Sequence, residues 1–148
     1  MTRSPDAEAV VLAMWEGYDR DGLRGVLDHA SEDAEWRPHS SEQSVFRSTA
    51  DYREYVERAV ARGIVVDSIR LGIWSRDEVV AVRGRLRVRQ GGVVEDSRMY
   101  WVHRVRDGKV RWTASSPDLA RLLADAGLPG RDVSNEAYMA MHRTEDEG

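Results

Sequence analysis

From residue 64 onward the chain changes period. Ile64–Trp74, Glu78–Gln90, Val93–Val105 and Lys109–Ser115 are four long runs of alternating side chains, the pattern of strands with two different faces. Gly91-Gly92 and Asp107-Gly108 separate the later runs, and such dipeptides supply the positive φ that tight hairpin turns need. Strands joined by turns this short are antiparallel neighbours. The second half of the chain is therefore a meander, and one of its faces has to be covered.

The first half reads as the cover. Ser4-Pro5 suits a helix start, and Val11, Met14, Trp15 and Tyr18 follow at helical spacing up to Gly22. Leu23, Val26 and Leu27 make a short second helix. Ala34–Pro38 reads as a short strand and His39–Arg47 as a polar loop. A third helix starts near Ser48-Thr49, carries Tyr52, Tyr55, Val56, Ala59 and Val60, and stops at Gly63. Ser116-Pro117-Asp118 caps a later helix with Leu119, Leu122 and Leu123, closed by Gly127. Helices followed by a meander make an α+β protein. Residues 1–128 are expected to form one domain and 129–148 a partly disordered tail, in which Ser134–His142 forms one or two amphipathic turns.

The first hairpin carries Arg83, Arg85, Arg87 and Arg89 on alternate positions. With Gly91-Gly92 as the turn, Arg87 falls opposite Asp96, Arg85 opposite Arg98 and Arg83 opposite Tyr100. A slip of one residue would turn every side chain to the other face. The chain has 22 basic and 26 acidic residues and a net charge of −4, whereas nucleic-acid binders usually carry a basic domain. The face bearing Arg83, Arg85, Arg87, Tyr100 and Val102 is accordingly expected to be a homodimer interface and not a nucleic-acid site.

The opposite face carries Val82, Gly84 and Leu86 against Ser97, Met99 and Trp101. A three-residue loop at Arg106–Gly108 would pair Trp101 with Thr113 and Met99 with Ser115. A two-residue loop would instead turn Trp112 and Ala114 inward. Trp15, Trp36, Trp101 and Trp112 all sit in elements that could face the concave side. Aromatic walls with small residues and hydroxyls are the usual composition of a small-molecule site. The expected lining is Trp15, Tyr18, Trp36, Val82, Gly84, Leu86, Ser97, Met99, Trp101, Thr113 and Ser115. His39, just after the first strand, is the first acid–base candidate and Tyr100 the second. His103 shares the Trp101 face; a packed or edge histidine is the favoured reading, and the mouth or rim of the cavity is the alternative. The chain has no cysteine, and no histidine pair has metal-ligand spacing. No metal or cofactor is expected. No apolar run is long enough to span a bilayer, and a cytoplasmic protein without a membrane partner is expected.

GYDRDGLRGVLDHASEDAEWRP, VVAVRGRLRVRQGGVVEDSRMYWVHRVRDGKV and SPDLARLLADAGL resemble the nuclear transport factor 2-like superfamily, and within it the SnoaL-like group, over roughly residues 7–128. The resemblance implies a cone-shaped, cystatin-like α+β barrel. In such a barrel a curved, mostly antiparallel sheet packs against three N-terminal helices, with a further C-terminal helix and a deep pocket. It also implies a homodimer and an apolar, ring-containing small molecule as ligand. The superfamily includes ketosteroid isomerases, epoxide hydrolases, polyketide cyclases and noncatalytic binding or scaffolding domains. Laid without gaps on the isomerase pattern, its catalytic positions fall on Met14, Pro38 and Tyr100 or Trp101. The epoxide hydrolase constellation falls on Gly84, Val82 and Ser115. Neither set of carboxylates is present, so those two reactions lack their base. An enzyme on this scaffold would run metal-free acid–base chemistry of an isomerase, cyclase or hydratase kind. The alternative is a noncatalytic dimerisation or scaffolding module.

Overall fold

The computed structural model describes residues 6–39, 45–128 and 131–147. Ser4, Pro5, most of the loop after His39 and Gly148 lie outside these. Helix α1 (Ala7–Asp21) is capped by Asp6, whose carboxylate accepts from the Glu8 amide at 3.1 Å. It ends at Gly22 with φ 68°, in the left-handed region that favours glycine. Helix α2 (Leu23–Leu27) then folds back against α1. A Cβ on Gly25 would lie 2.0 Å from the Gly17 carbonyl oxygen, so the two helices meet backbone to backbone. Strand β1 (Ala30–Arg37) is followed by α3 (Thr49–Ala61), capped by Ser48, which accepts from the Asp51 amide.

The meander is β2 (Val65–Arg76), β3 (Val79–Gln90), β4 (Val93–Arg106) and β5 (Lys109–Ser116). The sheet order is β1-β5-β4-β3-β2, with β1 parallel to β5 and all other pairs antiparallel. Strand β1 starts at Ala30, four residues before the expected Ala34. The segment Ala30–Asp33 has little strand propensity, and Ala30 is held by pairing with Val110 of β5. The polar loop before α3 also holds a core residue. Phe46 is 3% exposed and exchanges two 2.8 Å backbone hydrogen bonds with Trp36.

The β3–β4 register is the one the Gly91-Gly92 turn requires, with Arg87 opposite Asp96 and Gly84 opposite Met99. The β4–β5 hairpin differs from expectation. Arg106 pairs with Lys109, so the loop has two residues, Asp107 (φ 54°) and Gly108 (φ 74°). A register shift between Arg104 and Val105 then absorbs one extra residue in β5. His103 therefore pairs with Thr113 and Trp101 with Ser115. The bulge returns Thr113 and Ser115 to the concave face, which a plain two-residue hairpin would have denied them.

Both faces of the sheet are covered. Helices α1, α2 and α3 enclose a core with the concave face, including Val11, Met14, Trp15, Trp36, Val56, Val82, Met99 and Trp101. Helix α4 (Leu119–Asp125), capped by Asp118, and helix α5 (Arg131–Glu147) build a second core on the outer face with Trp74, Ala81, Tyr100, Val102 and Ala114. The tail, expected to make only one or two turns, is thus a 17-residue helix. Its Val133, Ala137 and Met141, spaced by four, are buried. Trp112 also packs on this outer side, against the same core.

This arrangement corrects the expected homodimer face. Arg83 is 6% exposed, and its Nε donates to the Met141 carbonyl at 3.0 Å. Tyr100 is buried, with its hydroxyl 3.0 Å from His142 Nε2, and Val102 is fully buried. The chain's own C-terminal helices occupy that surface. Arg85 and Arg87 remain exposed and share Asp96 at 2.9 and 3.1 Å, while Arg89 pairs with Asp67 at 3.3 Å. Three of the four ladder arginines thus form a solvated strand face with its own carboxylates.

Candidate functional site: an aromatic cavity under the helices

A cavity of about 270 Å³ lies between the helical layer and the concave face of the sheet. The helices of that layer and strand β1 contribute to its wall. Trp15 and Tyr18 come from α1, Trp36 from β1, and Tyr52 and Tyr55 from α3. The sheet adds Val66, Ser68, Leu86, Val88, Trp101, His103, Thr113 and Ser115. On each strand these are alternate residues, as a pleated sheet demands. The rim holds the exposed Gln90 and Glu95 with the half-buried Arg37 and Pro38, whereas Met14, Trp15, Trp101 and His103 are buried.

Two aromatic groups form the walls. Trp15 meets Trp101 edge-on, with ring centroids 5.1 Å apart and planes at 77°. Trp36 stacks on Tyr52 at 4.5 Å and 14°. Hydrogen bonds hold these rings in place. Trp36 Nε1 donates to Thr49 Oγ1 at 3.1 Å, and Thr49 donates on to the Ser31 carbonyl at 2.6 Å. The Tyr18 hydroxyl donates to the Val66 carbonyl at 2.7 Å. Arg70 lies over the Trp15 ring, 5.3 Å from its centroid, and pairs with Asp19 at 2.6 Å. The hydrogen bond from Arg70 holds the Asp19 carboxyl below the usual carboxylate range.

The inner wall is electrically neutral. Burial raises the pKa of Tyr18 and of Tyr52, so both stay phenols near neutrality. Burial alone pushes His103 down to about 3, so its ring is a neutral imidazole. Its Nδ1 lies 2.9 Å from Thr113 Oγ1. The carboxylate and guanidinium that belong to the cavity, Glu95 and Arg37, sit at its rim. Such a wall offers no charged group to an anion that would be desolvated within it.

Seven of the expected lining residues do line the cavity: Trp15, Tyr18, Trp36, Leu86, Trp101, Thr113 and Ser115. Four do not. Val82 and Met99 are 1% and 2% exposed and packed in the core around Trp101. Ser97 is exposed toward the hairpin tip. A Cβ on Gly84 would lie 1.9 Å from the Ile69 carbonyl oxygen, so this glycine admits the neighbouring backbone and not a ligand. A tryptophan placed there would break β2–β3 pairing before it filled any cavity.

The acid–base candidates also land elsewhere. Tyr100 is on the outer face under α5. The His39 side chain is exposed and lies outside the cavity wall, while its backbone amide donates to Ser115 Oγ at 2.9 Å. The sequence reading missed Tyr52, Tyr55, Val66 and Ser68 as lining. Their signal was present in the apolar stripe of α3 and the alternation of β2. His103 is packed, as expected, but within the cavity wall.

The family of SnoaL-like domains matches residues 11–113. The chain belongs to this family. Solved structures agree on the fold, the curved sheet and helices of nuclear transport factor 2-like proteins. This SnoaL-like chain is 17% identical, with a TM-score of 0.66, to a nuclear transport factor 2-like protein of unknown function from Burkholderia pseudomallei, over 80% of this chain and 95% of that one. The same four values relate it to TerC co-crystallised with polyporic acid. A protein from Jannaschia provisionally named a SnoaL-like polyketide cyclase is 20% identical, with a TM-score of 0.62, over 87% of this chain and 99% of that one. No curated protein matches the sequence.

Proposed function

We propose that this SnoaL-like chain binds an uncharged, apolar, ring-containing small molecule in the cavity beneath α1 and α3. The observation that carries the reading is the wall itself: two aromatic groups facing a space of about 270 Å³ with no charged group at its inner end. Apolar pockets with a few placed polar groups are the usual small-molecule sites. The co-crystallisation of TerC with polyporic acid and the cyclase name given to the Jannaschia protein support a small organic molecule as ligand. A scaffolding role through the outer sheet face finds less support, because α5 covers much of that face.

Naphthalene is a suitable first probe, because it fits the ring walls and carries no polar group. Wild-type protein is expected to bind it measurably by calorimetry. Leu86→Trp should weaken that binding at least about tenfold by filling ligand space, at an overpacking cost to the fold of about 1–3 kcal/mol. Absence of binding by wild type, or equal binding by the folded variant, would contradict the reading.

A further inference from the structure

Two polar atoms in the cavity wall have no hydrogen-bond partner among the described residues: Trp15 Nε1 and His103 Nε2. Both are buried, in side chains 5% and 1% exposed. Three of the other four indoles contrast with Trp15. Trp36 donates to Thr49, Trp74 to Glu136 and Trp112 to Glu35. Native interiors leave few buried polar atoms unpaired, because each costs the desolvation of the group with nothing returned. Here two occur together. The Trp15 and His103 rings are 6.3 Å apart, centroid to centroid, with planes at 73°. They stand on facing layers, one on α1 and one on β4, and both belong to the same cavity.

We infer that Trp15 Nε1 and His103 Nε2 form a paired polar anchor for an oxygen atom carried on the ligand's ring. This rests on the ring-ligand reading above and adds the chemical class: a hydroxyl- or carbonyl-bearing ring in place of a plain hydrocarbon. The donor inventory sets the class. An indole N–H can only donate, so the ligand atom must accept. His103 is adaptable. The Thr113 hydroxyl beside Nδ1 can donate or accept, so Nε2 can present either a lone pair or an N–H. A ring hydroxyl satisfies both nitrogens by accepting from Trp15 and donating to His103. A ring carbonyl does so by accepting from both. Neither requires a charge on the protein, in keeping with the neutral wall. The oxygen would lie at the inner end of the cavity, and the apolar remainder would point toward the rim at Gln90 and Glu95.

A matched pair of probes tests the anchor: 2-naphthol and naphthalene, titrated by calorimetry at pH 7.5. Wild type is expected to prefer 2-naphthol by about fivefold or more, the scale of one net neutral hydrogen bond. Trp15→Phe keeps a ring and removes the N–H, and His103→Leu removes the second nitrogen. Either variant should abolish the preference, read as the ratio of the two probes' affinities within the same variant, because the partner of the ligand oxygen is deleted. Because His103→Leu alters a buried site and its folding is not assured, a second readout uses unmodified protein. The ¹⁵N–¹H signal of the Trp15 indole should shift with 2-naphthol and much less with naphthalene. Equal binding of both probes by wild type, with the indole signal moving alike, overturns the anchor and leaves the ring-ligand reading standing. Binding of neither probe overturns both. A preference that survives Trp15→Phe intact also overturns the anchor.

Discussion

Gly72→Val is expected to lift α5 off the sheet. A Cβ at position 72 would stand 2.3 Å from the Met141 carbonyl oxygen and 3.0 Å from the Met141 Cα. The obstacle is helix backbone, which cannot move aside as a side-chain tip can. Local propensity argues the other way, because valine favours a strand and glycine weakens it. The contact outweighs the propensity. Scales of strand propensity span about 1 kcal/mol, whereas overpacking costs about 1–3 kcal/mol or more. The displaced helix would also expose Met141 and Val133, and it would break the Arg83 bond to the Met141 carbonyl and the Tyr100–His142 contact. A net loss of about 3 kcal/mol is expected in chemical denaturation. Amides of residues 133–141 should lose hydrogen-exchange protection first. An unchanged midpoint with α5 still protected would show that the helix does not depend on this glycine. Naphthalene binding should persist in whatever fraction remains folded, because α5 and the cavity lie on opposite faces of the sheet.

The second large effect is on acid stability. His103 is 1% exposed, and burial lowers its pKa from 6.5 to about 3. Between those values the unfolded chain binds a proton that the folded chain refuses. Stability from this group is therefore fully present above pH 6.5 and is lost as pH falls below it, until the folded ring itself titrates near 3. The slope is about 1.4 kcal/mol per pH unit, so two units below 6.5 cost about 2.7 kcal/mol. That interval lies above the range in which Asp19 and Asp96, both held low by arginine hydrogen bonds, take up protons. His103→Gln cannot titrate, and its stability should change far less over the same two units. Its absolute stability at neutral pH is a separate matter, because the Thr113 contact changes too. Parallel pH profiles for wild type and variant would show that His103 is not held neutral in the fold.

The meander, the β3–β4 register, the caps at Ser48 and Asp118 and the aromatic wall of Trp15, Trp36 and Trp101 were all readable from the chain alone. Each depends on a period of two or 3.6, or on a turn dipeptide, and those are local properties. They state which face of an element a side chain takes. They do not state what covers that face, and this is where the sequence reading stopped. Arg83, Tyr100 and Val102 were correctly grouped on one side of the sheet, yet only the tertiary structure shows α5 lying over them. The tail concealed itself because three buried contacts, Val133, Ala137 and Met141, are spread through a strongly polar segment. By sequence alone Gly84 suits open space beside a ligand, and nothing local marks Gly72. Both are close approaches of backbone to backbone that pair residues far apart in sequence. The inward turn of Thr113 and Ser115 was expected from a three-residue loop, but it arises from a two-residue loop and a bulge that restore the same face. Whether a buried nitrogen finds a partner depends on every neighbour at once, so the unpaired state of Trp15 and His103 could be decided only by the assembled fold.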